Sequence, residues 1–251
     1  MPALPAAFLD RPVAHRALHD KAAGRPENSA EAIRAAVAAG YGIEIDLQPS
    51  SDGVAMVFHD YALDRLTAET GPVTERSAAE LGAIPLLNGT AGIPTLSQVL
   101  ELVAGRVPLL IEVKDQDGAM GPDVGPLEAA AAETLAGYDG PVALMSFNPH
   151  SVATLARLAP RIPRGLTTCG YTPEDTPGLP ETARAHLRGI LDFERTGASF
   201  ISHHWRDLSN PRVQELRAQG VPVLCWTIRS PAEEAEARKV AQNITFEGYA
   251  A

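Results

Sequence analysis

Eight short apolar runs recur along this chain, and helix-forming stretches separate most of them. The runs fall at 13–14, 43–47, 109–114, 142–145, 162–166, 198–202, 221–226 and 243–246. Between them the helical stretches begin near Asn28 or Ser29 and near Thr95, then cover 127–138, 152–158, 182–191, 212–219 and 232–240. A strand that returns parallel to its predecessor needs a long crossover, and a helix supplies it. Eight such units close into a (β/α)8 TIM barrel, with a doubly wound open sheet as the alternative. The 251 residues, 45% of them hydrophobic, suffice for one barrel domain over 1–251.

One strand is unusual. In 43–47 Ile43, Ile45 and Leu47 alternate with Glu44 and Asp46, so the two carboxylates point to the same side. Like charges side by side on a half-apolar strand resist burial. Ser50-Ser51-Asp52-Gly53 then reads as a tight turn, and a second apolar run, 54–58, leads to His59-Asp60. The hairpin brings a histidine back toward the carboxylate pair. A hard divalent cation, Mg²⁺ or Ca²⁺, would relieve the repulsion. The stretch 61–91 is longer than an ordinary strand-to-helix loop, so a small inserted subdomain is expected at about residues 47–92, after the second barrel strand.

Composition narrows the partners. Net charge is −10 with no basic block, which argues against nucleic acid or an anionic membrane surface. No apolar run is long enough to span a bilayer, and the N-terminal residues lack the basic and apolar regions of a signal peptide. Cys169 and Cys225 have neither disulfide-framework nor metal-ligand spacing, so both are expected as reduced thiols in a cytoplasmic protein.

Active sites of such barrels lie at the C-terminal strand ends. His15-Arg16, Glu44/Asp46, Glu112/Lys114, Ser146-Phe147, His203-His204 and Trp226 all fall there. Three carboxylates from two strands can hold one divalent cation. Arg16 and Lys114 add positive charge suited to a phosphoryl group. Two histidines can act as acid and base near neutral pH. Glu27 either orients Arg16 or stabilises the N-terminus of its own helix. His203-His204-Trp205 either lines the pocket or forms a rim loop, and Trp226 is either a site residue or barrel core. Cys225 should point toward the helices.

The ordered motifs resemble the glycerophosphodiester phosphodiesterase family. They are His15-Arg16-Ala17, Pro26-Glu27-Asn28-Ser29, Glu44-Ile45-Asp46, Ser51-Asp52-Gly53 and His59-Asp60, followed by Asp64-Arg65-Leu66-Thr67, Ile93-Pro94-Thr95-Leu96, Ile111-Glu112-Val113-Lys114, Ser146-Phe147 and Trp226-Thr227. The resemblance implies a barrel with a small insertion after its second strand. It implies that Glu44, Asp46 and Glu112 are metal ligands, and that His15 and His59 are the acid/base pair. Arg16 and Lys114 would contact phosphate and Trp226 the substrate. The implied reaction is hydrolysis of glycerophosphodiesters, deacylated phospholipids among them, to glycerol 3-phosphate and an alcohol. Two departures stand out: Ala17 replaces the usual Gly, and Glu247 stands where Asp-x-Pro is common. Both are expected to affect rim loops more than chemistry. A phospholipase D-like enzyme acting on lysolipids, or a non-catalytic barrel binding phosphorylated polyols, are the alternatives. The first would need an apolar acyl-binding surface, and the second conflicts with retention of every acid, base and ligand type.

Overall fold

The computed structural model describes residues 2–251. Its strands are β1 (Val13–Ala14), β2 (Gly42–Pro49), β3 (Ala55–Val57), β4 (Leu109–Val113), β5 (Val142–Ser146), β6 (Arg164–Thr168), β7 (Phe200–His204), β8 (Val223–Ile228) and β9 (Asn243–Phe246). All but β3 pair in parallel, and β1 pairs with both β2 and β9, which closes the ring at eight strands. The open-sheet alternative is thereby excluded. β3 runs antiparallel to β2, with Leu47 opposite Val57, as the Asp52-Gly53 turn requires.

The helices are α1 (Ala7–Asp10), α2 (Ala30–Ala39), α3 (Ala78–Ala83), α4 (Leu96–Val103), α5 (Pro126–Thr134), α6 (Pro149–Leu158), α7 (Glu181–Arg188), α8 (Phe193–Thr196), α9 (Pro211–Ala218) and α10 (Pro231–Ala237). Ser29 caps α2 by accepting the Ala32 N–H at 3.1 Å, and Gly40 ends it in the left-handed region at φ 73°. Thr95 and Gln98 form a reciprocal box at the start of α4. Three strands, β6, β7 and β8, begin two residues later than the apolar runs do. Residue 163 is Pro, so β6 starts at Arg164; Val221 donates its N–H to Leu216 at the end of α9, so β8 starts at Val223.

Strand alternation splits the core in two. Ile43, Ile45, Leu47 and Cys225 point outward and pack in the helix layer. Val13, Leu110, Ala143, Met145, Phe200 and Leu224 fill the barrel floor, closed from below by Leu4 and Phe8 of the N-terminal segment. Gly165 is required there: a Cβ would sit 2.4 Å from the ring of Phe200. The segment between β2 and α4 carries a separate apolar cluster that includes Met56, Phe58, Leu63, Val73, Leu81 and Ile93. Both cysteines are free and buried. Among the described residues no helix is long and apolar enough to cross a membrane.

Candidate active site

The alternation that sends Ile43, Ile45 and Leu47 to the helices sends Glu44 and Asp46 into the barrel. The β2–β4 register sets Asp46 beside Glu112. Glu44, Asp46 and Glu112 are each at most 6% exposed, and one oxygen of each lies within 4.8 Å of the others. Lys114, two residues beyond Glu112, places Nζ 2.7 Å from Asp46 Oδ1 and 2.5 Å from Glu112 Oε1.

This charge set is unevenly balanced. Burial, then Asp46 and Glu112, push the Glu44 carboxyl well above its ordinary range, and its Oε2 accepts only the backbone N–H of Arg16 at 2.8 Å. Burial opposes ionisation of Asp46 as well, but Lys114, His59 and Arg16 hold it far below its usual range. Asn28 fixes Asp46 further by donating Nδ2–H at 2.9 Å. Asn28 sits at φ 56°, a left-handed position that asparagine tolerates, just before α2. Burial disfavours the Lys114 ammonium, yet the two carboxylates raise its pKa overall. Three buried carboxylates with one of them uncompensated form a donor set that fits a hard divalent cation.

Each flanking histidine leans on its own acid. His15 continues the inward parity of Val13 past β1 and meets Glu247 Oε2 with Nδ1 at 2.6 Å. Burial lowers the His15 pKa despite that contact. Arg229 holds the other Glu247 oxygen at 2.7 Å. His59 lies just past β3, its Nδ1 2.6 Å from Asp60 Oδ1. Asp60 and Glu27 are joined by Arg65, which donates to both, and Glu27 also accepts from Arg16 at 2.8 Å. Glu27 therefore orients Arg16 and Arg65 rather than only serving a helix end.

A cleft of about 510 Å³ opens over this rim, bordered by His59, Glu112, Lys114, Phe147, His204 and Trp226. Trp226 stacks edge-on with Phe147 at 5.5 Å between ring centres, and its indole N–H donates to the Ser202 carbonyl. Of the vicinal pair, His204 faces the cleft, whereas His203 is buried between Thr168 and Asp207.

The structure brings His15, Arg16, Glu44, Asp46, His59, Glu112, Lys114 and Trp226 to one barrel end. Sequence reasoning gave no site role to Asp60, Arg65 or Asp115, which accepts from Asn148, and offered Asn28 only as a start of α2. It placed Glu247 among the rim loops, but this side chain touches His15 directly. The position of Glu247, one residue past β9, was the available signal, because strand ends supply such sites.

Residues 15–243 match the profile of the "Glycerophosphoryl diester phosphodiesterase family". A glycerophosphodiester phosphodiesterase of Bacillus subtilis is 28% identical over 209 residues, covering 76% of this chain and 68% of that one. One from Caldanaerobacter subterraneus is 31% identical over 154 residues, covering 58% of this chain and 63% of that one. Among solved structures, an Oleispira antarctica phosphodiesterase in complex with its product sn-glycerol-3-phosphate superposes with a TM-score of 0.77. It shares 24% identity over 96% of this chain and 94% of the other.

Proposed function

Because the chain belongs to the glycerophosphoryl diester phosphodiesterase family, we propose that it hydrolyses glycerophosphodiesters to glycerol 3-phosphate and an alcohol. The observation that carries this reading is the cluster of three buried carboxylates flanked by two carboxylate-bound histidines at one barrel end. The product held by the Oleispira relative supports a glycerol phosphate as the common part of the substrate. Residues 1–251 act as one barrel domain in this reading, with about residues 47–92 as a subdomain beside the cleft.

Glu44, Asp46 and Glu112 would hold a divalent cation, Mg²⁺ or Ca²⁺. Such a cation draws charge from a phosphoryl oxygen and neutralises what develops there. Arg16 and Lys114 bind the remaining phosphate oxygens, Arg16 held in place by Glu27. Trp226 and Phe147 form an apolar wall for the glycerol or head-group carbons.

Asp60 accepts the Nδ1 proton of His59, so Nε2 carries the free lone pair and serves as base. It removes a proton from the nucleophile. By resemblance to the family that nucleophile is the glycerol 2-hydroxyl, which forms a cyclic phosphate that water then opens. His15, braced by Glu247, gives its proton to the leaving alkoxide. Burial disfavours its protonated form, so the donating imidazolium is populated as the pH falls below the ordinary histidine value.

The leaving group tests this division. Nitrophenolate departs without a proton, whereas a choline or ethanolamine alkoxide needs one. His15→Ala should cut turnover of natural diesters by about 100-fold or more relative to nitrophenyl diesters, and His59→Ala should damage both alike. Equal losses on both substrates for both variants would refute the assignment, and full activity in both would refute the active-site reading.

A further inference from the structure

We propose a second metal site, selective for zinc-like ions, built from His15, His19 and Glu247. One ligand atom from each lies within 4.8 Å of the others. The backbone explains how they meet. Arg16 and Ala17 both take positive φ, 50° and 65°, and this left-handed turn folds His19 back over His15. His15 Nδ1 lies 2.6 Å and His19 Nε2 3.5 Å from the same oxygen, Glu247 Oε2. His19 Nε2 is buried and has no hydrogen-bond partner. Arg229 occupies the other oxygen of Glu247, which aims Oε2 at the two rings. All three side chains keep 14–21% exposure, so an ion from solvent can reach them.

The donor set decides the ion. Two imidazoles and one carboxylate favour Zn²⁺, Co²⁺ or Ni²⁺, whereas the all-oxygen set of Glu44, Asp46 and Glu112 favours Mg²⁺ or Ca²⁺. Zinc–ligand bonds of about 2.0–2.2 Å place tetrahedral donors about 3.3–3.5 Å apart. The His19–Glu247 separation already meets this, and His15 need retreat from Glu247 by only about 0.7 Å. A fourth position remains open to water.

Binding at this site silences His15. With the metal on Nδ1, the neutral ring keeps its proton on Nε2, and giving that proton up would leave an imidazolate. The acid step stops, so zinc inhibits while the carboxylate site keeps its own cation. The inhibition rests on the proposed acid role of His15; the binding does not.

The test titrates Zn²⁺ into protein saturated with Mg²⁺, reading binding by calorimetry, ligand type by zinc X-ray absorption, and turnover. Wild type should bind one zinc through imidazole nitrogens and lose turnover in proportion. His19→Ala should turn over within about twofold of wild type but bind zinc at least about 100-fold more weakly, more than loss of an outer-shell partner produces. A His19→Ala variant that binds zinc and is inhibited like wild type would overturn the site, as would a zinc spectrum with oxygen ligands only. Imidazole-bound zinc with unchanged turnover would overturn the inhibition and the His15 assignment while establishing the site.

Discussion

Glu44 is the carboxylate whose charge is least compensated, and replacing it with Gln separates the cost of the site from its use. Lys114 pairs with Asp46 and Glu112, while Glu44 accepts one backbone N–H. At an effective dielectric of about 20, two charges 4.8 Å apart repel by about 3.5 kcal/mol. Without a cation Glu44 therefore keeps its proton well above its ordinary value of 4.5. The folded protein then binds more protons than the unfolded chain above that value. Stability is full below about pH 4.5 and falls as the pH rises toward the raised value, by about 1.4 kcal/mol for each pH unit. Asp46 works the other way: held low, it contributes stability above its ordinary 3.8 that is lost only in strong acid. Between about pH 5 and pH 8 the Glu44 slope is opposed by His15, whose lowered pKa adds stability as the pH rises toward its ordinary 6.5. The Glu44 slope is therefore read as the difference between wild type and a variant lacking it.

Glu44→Gln removes that slope. In chelator at pH 8 the variant should be more stable than wild type by about 1–3 kcal/mol, a rise in Tm of about 2–10 °C for a chain of this size. At pH 5 the two should melt together. Adding Mg²⁺ or Ca²⁺ should raise the wild-type Tm by mass action and leave the variant nearly unmoved. The variant should also lose cation-dependent turnover. Thermal melts at the two pH values, with chelator and with cation, read all of this. A variant less stable than wild type at pH 8 in chelator, or one that gains equally from cation, would refute the charge argument.

Lys114→Ala should lower kcat/KM for phosphodiesters by about 100-fold, since it removes a charge-assisted contact to the developing phosphorane; unaltered kcat/KM would mean that Lys114 only neutralises Asp46 and Glu112. Gly165→Ala should cost about 1–3 kcal/mol of stability by driving a methyl into the Phe200 ring. Adding Phe200→Leu should recover part of that loss in denaturant melts, and no recovery would place the strain elsewhere.

The sequence exposed the barrel because strand and helix periods differ, and the alternation in β2 announces which side chains face inward. Glu44, Asp46 and Glu112 were legible for that reason: each sits at an inward strand position. Their neighbours were not. Glu247 approaches His15 from 232 residues away, and only closure of β9 onto β1 makes them adjacent. Arg65 reaches Glu27 and Asp60 from inside the inserted segment, whose path no periodicity describes. The left-handed turn at Arg16-Ala17 that brings His19 to Glu247 has no glycine to mark it in the sequence. The strand shifts at β6 and β8 arise from Pro163 and Pro222, which cannot donate to the ladder.

Height within the barrel separates stability from chemistry. On β4 the inward positions run from Leu110, in the apolar floor, to Glu112, in the charged rim, with Lys114 just beyond the strand. Phe200 packs low on β7, while His204 faces the cleft at its end. The floor and helix layer gain by burying apolar surface, so the rim can carry mutual repulsion that a site of this kind needs. Changes at the two levels should therefore move the two observables apart. A defect in the floor such as Gly165→Ala should lower Tm while leaving the pH dependence of turnover in place. Neutralising the rim at Glu44 should raise the Tm of the chelated protein while abolishing turnover. If the floor variant instead shifted the pH profile of turnover, the two levels would be mechanically coupled, and the rim geometry would depend on packing about Phe200.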